Sequence, residues 1–300
     1  VSPAPASDVA PEALAEVTVV LNCGVGAHAG KREALEAAWP ALSGVRWVHS
    51  ASAGLEHLLF PGLVGHAGVQ LTNAKGVYSH SLAEYALFCM KYFALDFPRV
   101  QRAKAAGKWD PFTVQELRGR TLGVVGYGDI GRACAALAKA QGMRVLALRR
   151  SPEKCRGDPL LDEALGPSGL LELAARSDYL LCATPHTPET DRLVSAEVIG
   201  AMPAHGVFVN VGRGRCVDEA ALVTALRGQR IKGAALDVFE TEPLPEGHVL
   251  FGLDNVLLTP HCADRTQNFQ EESLDFFVEN MRRYIAGEPL QNVVDKAAGY

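Results

Sequence analysis

Residues 122–131 read Leu-Gly-Val-Val-Gly-Tyr-Gly-Asp-Ile-Gly, and this stretch decides the fold. The apolar run 122–125 predicts a buried strand, and a helix is predicted to follow at 132–141. Between them, glycines occupy the positions of the pattern G-x-G-x-x-G. In such a unit the first glycine allows a tight turn, the second lets a pyrophosphate approach the backbone, and the third lets helix and strand pack closely. The pyrophosphate then lies at the helix N-terminus, where free N–H groups attract an anion. We therefore predict a dinucleotide-binding loop formed by Gly126, Tyr127, Gly128, Asp129, Ile130 and Gly131.

The next predicted strand, at 143–148, ends in Arg149-Arg150-Ser151. Proteins that bind NAD usually carry Asp or Glu here, which hydrogen-bonds the ribose 2′-hydroxyl. A carboxylate would repel a 2′-phosphate, whereas two guanidinium groups and a hydroxyl would bind one. We therefore predict that NADP(H) is preferred to NAD(H). The alternative is that the arginines are solvated residues at a strand end, which leaves NAD(H) as the cofactor.

The composition indicates a globular protein with neither a nucleic-acid nor a membrane partner. With 300 residues, of which 48% are hydrophobic, the chain can form one large domain or two ordinary ones. A net charge of −5 and the lack of a basic stripe argue against nucleic acid. No apolar run reaches the ~18 residues of a membrane-spanning helix.

The seven cysteines are scattered without a C-x-x-C pair, and several lie in apolar runs. This pattern indicates buried free thiols in a reducing compartment, with the cytoplasm as the default. The nine histidines are scattered too, so no metal site is expected. The chain begins Val1-Ser2-Pro3 without an initiator methionine, so we expect a trimmed N-terminus and leave a removed organellar targeting peptide open.

Strand and helix signals alternate along the whole chain. Further strands are predicted at 17–21, 46–49, 69–72, 179–183, 207–211, 233–238 and 256–259, and helices at 31–39, 81–93, 218–226 and 271–286. Repeated βα units imply parallel sheets with helices on both faces.

Three polar residues follow successive predicted strands: Arg213, Glu242 and His261. Ligands of open parallel sheets bind outside the carboxyl ends of the strands, so all three are expected at one crevice. Reduction of a 2-oxo acid needs a cation for the carboxylate and carbonyl, a role that suits the planar fork of Arg213. It also needs a proton donor, and His261 has an unperturbed pKa near 6.5. Glu242 would favour the charged imidazole. Each residue alone is more typical of a turn or surface position, but the conjunction favours catalysis.

At this point the chain resembles the D-isomer-specific 2-hydroxyacid dehydrogenase family over nearly all its length. The motifs that carry the resemblance are the glycines of 126–131, Thr184-Pro185-His186-Thr187-Pro188-Glu189-Thr190, Val209-Asn210-Val211-Gly212-Arg213-Gly214, Asp237-Val238-Phe239 with Glu242-Pro243, and Thr259-Pro260-His261. Their order and spacing match the family.

The resemblance implies a role for each matching residue. It makes Arg213, Glu242 and His261 the catalytic triad, and makes Asp237 the residue that holds the nicotinamide carboxamide. It places Thr184, Pro185, Val211, Gly212 and His261 at the cofactor. Residues 47–54 resemble the substrate loop, where Ser52 and the N–H groups of Ala53 and Gly54 would contact the substrate carboxylate. Tyr78 resembles a substrate-contacting tyrosine, and a packing aromatic is an equally good interpretation.

The family fold implies two Rossmann-like or flavodoxin-like doubly wound α/β domains with the active site in the cleft between them. We accordingly expect a substrate domain at 1–93 and 266–300 and a dinucleotide-binding domain at 94–265. A homodimer is expected from the family alone.

The chain departs from the family pattern in three places. Arg149 and Arg150 resemble the NADPH-preferring glyoxylate and hydroxypyruvate reductase branch. Cys262-Ala263-Asp264-Arg265 replaces the usual small residues after the histidine. We therefore expect an unusual substrate preference, unless Asp264 and Arg265 pair with each other. The resemblance also leads us to expect that the first βα segment of the family is missing from this sequence.

Together these features predict an NADP(H)-preferring enzyme that reduces small 2-oxo acids (glyoxylate, hydroxypyruvate or pyruvate) to D-2-hydroxy acids. The alternatives are an NAD(H)-dependent D-lactate dehydrogenase or hydroxyphenylpyruvate-type reductase and, more remotely, a dinucleotide-sensing scaffold like the corepressors of the family.

Overall fold

The structure is a computed structural model that describes residues 10–23 and 32–299. The strands of these residues are β1 Val19–Asn22, β2 Trp47–Ser50, β3 Gln70–Asn73, β4 Thr121–Val125, β5 Arg144–Leu148, β6 Glu163–Leu165, β7 Tyr179–Cys182, β8 Val207–Asn210, β9 Gly233–Leu236 and β10 Val256–Leu258. Their helices are α1 Pro11–Ala15, α2 Arg32–Ala38, α3 Pro61–Val64, α4 Ser79–Ala94, α5 Phe97–Ala105, α6 Asp129–Ala140, α7 Leu170–Ala175, α8 Ala196–Ala201, α9 Glu219–Arg227 and α10 Phe269–Ala286. None of these helices is long and apolar enough to cross a membrane.

The chain divides into two compact units. Unit 1 comprises Val1–Tyr78 and Gln267–Tyr300, and unit 2 comprises Ser79–Thr266. All seven cysteines are free, and five of them are buried, as their apolar surroundings predict.

Unit 2 contains a seven-stranded parallel sheet with the order β10-β9-β8-β7-β4-β5-β6. The chain runs outward from β4 to β6 and then returns to β7 on the other side of β4. Ligands of such sheets bind beside this reversal, at the carboxyl ends of the strands. Both β4 and β7 are buried along their whole length, which explains why their sequences are continuously apolar rather than alternating. The predicted α/β class with parallel sheets is confirmed.

Helix α4 belongs to unit 2, which differs from the boundary at residue 93 expected from the sequence. The end of the helix packs on β9, because a Cβ atom at Gly233 would collide with the ring of Phe93. Lys232 Nζ also donates to the Phe93 carbonyl at 2.7 Å. Apolar helical periodicity shows that a helix has a buried face, but it does not show which sheet covers that face.

Unit 1 contains a three-stranded parallel sheet with the order β1-β2-β3. The outer edge of β3 pairs with the C-terminal segment through an antiparallel bridge between Thr72 and Val293. Helix α10 covers the sheet with aromatic side chains. Trp47 on β2 stacks on Phe277 with a centroid distance of 5.3 Å and lies 5.4 Å from Tyr284. This packing fixes the position of β2, whose C-terminal end leads into residues 51–54.

Candidate active site

The glycine-rich loop after β4 has the geometry expected for phosphate binding. Gly126 has φ +96°, and a Cβ atom there would lie 2.7 Å from Thr184 Cγ2. A Cβ atom at Gly131 would collide with the Gly126 carbonyl oxygen, so only glycine permits this helix–strand contact. At Gly128 nothing lies within 4 Å of a Cβ position, which leaves the backbone open to a ligand. Helix α6 begins at Asp129 without a side-chain cap hydrogen bond, and helix N-termini of this kind favour anions.

The side chains of this loop differ in their surroundings. Tyr127 is buried and its hydroxyl donates to Asp158 Oδ2 at 3.1 Å, so this ring packs away from a ligand. Ile130 is half-buried. The contribution of the loop therefore comes from its backbone.

Arg149 and Arg150, the two arginines after β5, differ in their contacts and exposure. The Arg149 N–H donates to the Leu165 carbonyl at 2.9 Å, and its Nη1 contacts Cys155 Sγ at 3.4 Å. Arg150 is exposed, and its charge contributes, after a hydrogen bond from Thr187, to lowering the pKa of Glu189. Ser151 is half-buried at the start of a short 3-10 helix. Arg149 is thus anchored at the edge of the sheet, while Arg150 lies near a carboxylate.

The loops after β7 and β8 lie against each other. A Cβ atom at Gly212 would lie 2.7 Å from the Thr184 carbonyl oxygen. Thr184 and Val211 are buried, whereas Pro185 is exposed. The expected cofactor residues of these two loops are therefore brought together within unit 2.

Buried Asn210 shapes the turn that carries Arg213. Its Oδ1 accepts from the Gly212 N–H at 3.0 Å, and its Nδ2 donates to the Arg213 carbonyl at 3.1 Å. Next to the arginine, any Cβ atom at Gly214 would overlap the Phe239 carbonyl group. This close approach sets the backbone of Arg213 beside the loop that contains Glu242.

His261 and Glu242 form a direct pair, with 2.7 Å between Nδ1 and Oε2. The other carboxylate oxygen of Glu242 accepts from the Phe239 N–H at 2.9 Å. The hydrogen bond to Glu242 raises the pKa of His261, although burial and the charge of Arg213 oppose the shift. Burial tends to raise the pKa of Glu242, but its hydrogen bonds to His261 and Phe239 and the charge of Arg213 lower it overall. The arrangement therefore favours an imidazolium beside a carboxylate, with a guanidinium close enough to act on both.

The backbone of His261 is in the left-handed region, with φ +50°. In a non-glycine residue this conformation is destabilising by roughly 1–2 kcal/mol. Two hydrogen bonds hold it, since the His261 N–H donates to the carbonyls of Asp237 at 2.9 Å and Thr259 at 3.0 Å. The imidazole is thus presented from a constrained turn.

Buried Asp237 organises the loop around His261. Its Oδ1 accepts from Thr259 Oγ1 at 2.6 Å and from the Cys262 N–H at 3.0 Å, while Oδ2 accepts from the Ala263 N–H at 3.2 Å. Tyr85 on α4 lies 2.6 Å from Thr259 Oγ1 and extends this network. A carboxylate oxygen accepts two hydrogen bonds, so Oδ2 keeps one position for a further donor. A nicotinamide carboxamide in that position stays a prediction.

Asp264 is half-buried, and burial raises the pKa of its carboxyl group. The ion pairs of the described residues do not include one between Asp264 and Arg265. The charge of Arg265 still acts to lower the pKa of Asp264, so pairing of the two side chains stays a prediction.

In unit 1 the N–H groups expected to bind a carboxylate are unoccupied by the protein. The hydrogen bonds of the described residues do not use the N–H of Ala53 or Gly54, and both residues are half-exposed. The Ser52 N–H instead donates to Ser50 Oγ at 3.2 Å. Tyr78 is buried, and its hydroxyl donates to the Ala51 carbonyl at 2.6 Å. This geometry favours the packing interpretation of Tyr78.

Five residues that shape these loops were not predicted from the sequence: Asn73, Tyr85, Asn210, Thr259 and Ser273. Asn210 and Thr259 lie inside the motifs already quoted. Their closeness in sequence to Arg213 and His261 could have indicated that they support these residues. Tyr85 and Ser273 are on long helices, where the sequence does not show which loop a hydroxyl reaches.

Comparison with known proteins identifies one family. A family model described as "D-isomer specific 2-hydroxyacid dehydrogenase, NAD binding domain" matches residues 88–263. The D-3-phosphoglycerate dehydrogenase of Methanocaldococcus jannaschii is 35% identical over 234 residues, which are 76% of this chain and 43% of that protein. The glyoxylate reductase of Pyrococcus furiosus is 33% identical over 238 residues, 76% of this chain and 70% of that protein. The chain thus spans less than half the length of the Methanocaldococcus jannaschii protein.

Among solved structures, a D-isomer specific 2-hydroxyacid dehydrogenase from Xanthobacter autotrophicus Py2, in complex with NADPH and MES, has a TM-score of 0.79 to this structure. It is 33% identical, and the alignment covers 97% of this chain and 87% of that chain. The likeness therefore extends over both units.

Proposed function

The chain belongs to the D-isomer specific 2-hydroxyacid dehydrogenase family, and on that premise we propose that it is an NADP(H)-preferring reductase of small 2-oxo acids. As a member it is an oxidoreductase with a nicotinamide dinucleotide cofactor. The proposed substrates are glyoxylate, hydroxypyruvate and pyruvate, and the proposed product is the D-2-hydroxy acid. The observation that carries the proposal is the 2.7 Å pair between His261 and Glu242, with Arg213 close enough to affect both.

We assign the cofactor to the loop of Gly126, Gly128 and Gly131, where the open backbone at Gly128 fits a pyrophosphate. When bound, the reduced nicotinamide supplies a hydride to C2 of the 2-oxo acid. The chain's own residues then control charge and protons. In unit 2 we assign Arg213 to polarising the substrate carbonyl. In unit 1 we assign the N–H groups of Ala53 and Gly54 to a carboxylate.

His261 donates a proton to the forming alkoxide, and the Glu242 carboxylate keeps the imidazole charged until that transfer. The reverse reaction uses neutral His261 as the base. His261→Ala should therefore lower kcat by a factor on the order of 10²–10⁴ with little change in the affinity for NADPH. Unchanged turnover in this variant contradicts the assignment.

NADP(H) preference rests on Arg149 and Arg150. The two side chains follow β5, and the anchored position of Arg149 supports a binding role. Exchange of this pair for Asp-Pro should move the preference towards NADH, whereas Arg118→Ser, on an exposed side chain of unit 2, should leave it unchanged. An unaltered ratio of kcat/KM for NADPH and NADH in the double variant removes the 2′-phosphate argument.

The test of the whole proposal is a set of initial rates with NADPH and NADH against glyoxylate, hydroxypyruvate, pyruvate and phenylpyruvate. Fast NADPH-dependent turnover of the short acids supports the proposal. Preference for NADH, or for phenylpyruvate, favours the lactate dehydrogenase or hydroxyphenylpyruvate reductase alternatives. Tight dinucleotide binding without turnover of any acid favours the scaffold. The expected homodimer stays a prediction, which sedimentation velocity tests.

A further inference from the structure

The carbonyl groups of residues 51–53 all accept hydrogen bonds from other parts of unit 1. The Ala51 carbonyl accepts from Tyr78 Oη at 2.6 Å and from Ser273 Oγ at 3.1 Å. The Ser52 carbonyl accepts from the Ala74 N–H at 3.3 Å. The Ala53 carbonyl accepts from Asn73 Nδ2 at 2.7 Å. These four donors connect residues 51–53 to β3, to the segment after it and to α10.

Because peptide bonds are planar, these hydrogen bonds also fix the directions of the N–H groups in the loop. In a trans peptide the C=O of one residue and the N–H of the next point to opposite sides. All peptide bonds of this loop are trans, since the cis bond found in the described chain is Glu242–Pro243. The bond to the Ser52 carbonyl therefore sets the direction of the Ala53 N–H, and the bond to the Ala53 carbonyl sets that of the Gly54 N–H. Both N–H groups face away from the donors and have no partner in the described chain.

Asn73 is the side chain that acts on the second of these peptides. It is buried at the end of β3, and its orientation is fixed because Oδ1 accepts from the Lys75 N–H at 3.3 Å. Its backbone carbonyl accepts from Asn292 Nδ2 at 3.2 Å, which connects it to the C-terminal segment. A donor on a carbonyl also polarises the N–H of the same peptide, and a chain of such bonds is mutually strengthening.

We propose that Asn73 is a positioning residue for substrate binding. Through the Ala53 carbonyl it aims and polarises the Gly54 N–H for the carboxylate of a 2-oxo acid. The Ala74 N–H holds the preceding peptide, and Tyr78 and Ser273 hold the peptide between Ala51 and Ser52. Tyr78 therefore acts on the substrate through the loop rather than by touching it. This inference rests on the proposed function, because it assumes that the anion at Ala53 and Gly54 is the substrate carboxylate.

The decisive variant is Asn73→Asp. It keeps the oxygen that accepts from Lys75 and replaces the Nδ2 donor by an oxygen that faces the Ala53 carbonyl. We expect KM for glyoxylate to rise roughly 10-fold or more, which is the loss of about one hydrogen bond to an ion, while KM for NADPH changes less than about twofold. Asn73→Ala removes the donor without adding charge and should show the same split, with a smaller rise.

Asn255→Asp is the matched control. Asn255 in unit 2 also donates from Nδ2 to a backbone carbonyl, that of Leu226 at 3.1 Å, but it lies outside the proposed binding machinery. This variant should lose thermal stability and leave both KM values unchanged. The inhibition constant of oxamate, an anion shaped like a 2-oxo acid, should rise in the Asn73 variants in parallel with KM.

Two outcomes overturn the inference. One is an unchanged KM for glyoxylate in both Asn73 variants. The other is that kcat, the affinity for glyoxylate and the affinity for NADPH all fall by a similar factor, because general destabilisation would produce that result. If the wild-type protein turns over no 2-oxo acid, the proposed function fails separately. Calorimetric titration of oxamate in the presence of NADPH then decides the role of Asn73, because equal affinities of wild type and Asn73→Asp refute it.

Discussion

Acid should destabilise unit 1 through one buried histidine. His49 on β2 is fully buried, with Nδ1 2.7 Å from Thr72 Oγ1 and its ring near Phe276 and Phe277. Burial lowers the pKa of His49 to about 4, below its ordinary value of 6.5. Between these two pKa values, His49 is therefore neutral in the folded state and protonated in the unfolded chain. Stability that is present above pH 6.5 is lost as the pH falls from 6.5 towards 4.

The size of the effect follows from the two pKa values. Between pH 7 and pH 5 proton linkage removes about 2 kcal/mol from the free energy of unfolding, and the loss approaches about 3 kcal/mol at pH 4. This is a large part of the roughly 5–15 kcal/mol that stabilises a typical domain. Because β2 leads directly into residues 51–54, the substrate loop should lose its order together with the strand.

Urea unfolding at pH 7 and pH 5, followed by tryptophan fluorescence, measures this loss. Trp47 is a local reporter, with its ring centroid 6.0 Å from that of His49. His49→Gln cannot titrate, so it should lose about 2 kcal/mol less than the wild type between the two pH values. His80→Gln, which replaces an exposed histidine paired with Glu84, should behave as the wild type. Equal losses in the wild type and His49→Gln would refute the reasoning.

Three further changes test other parts of the chain. Gly131→Ala should destabilise unit 2 by roughly 1–3 kcal/mol and weaken dinucleotide binding, since the new methyl group meets the Gly126 carbonyl; wild-type melting and NADPH affinity would contradict this. Glu242→Gln removes the main cause of the raised pKa of His261, so the fall of reductive kcat/KM with rising pH should begin at lower pH; a pH–rate profile with an unmoved alkaline limb is the contrary result. Asp218→Ala should cost about 1 kcal/mol in thermal or urea unfolding, because Asp218 Oδ1 caps α9 by accepting from the Ala221 N–H at 2.9 Å, and unchanged stability would show that the cap contributes nothing.

The long apolar elements were predictable from the sequence to within one to three residues. β8, predicted at 207–211 and found at Val207–Asn210, shows why: a buried parallel strand is a short apolar run bounded by polar residues. The weaker elements α5, α7, α8 and β6 were not predicted. They are short, and elements of this length depend on tertiary packing more than on local sequence.

What the sequence left open concerns contacts between distant segments. The spacing of Arg213, Glu242 and His261 predicted a shared strand-end location, and the structure brings them together. The partner of Tyr78, the unit that α4 joins and the action of Asn73 on Ala53 depend on side chains from separate elements meeting in space. A single sequence does not contain that information in its local patterns.

The division of the chain also determines the order in which the protein can be assembled. Unit 2, Ser79–Thr266, is continuous, whereas unit 1 is complete only when the C-terminal segment has paired with β3 through Thr72 and Val293. If unit 2 were still unfolded, closing a loop of that length would cost roughly 5 kcal/mol of chain entropy. Prior folding of unit 2 replaces this loop by a compact body and removes most of that barrier. During synthesis from the N-terminus, β3 therefore emerges well before the segment around Val293 that pairs with it, and the edge of β3 stays unpaired until that segment follows.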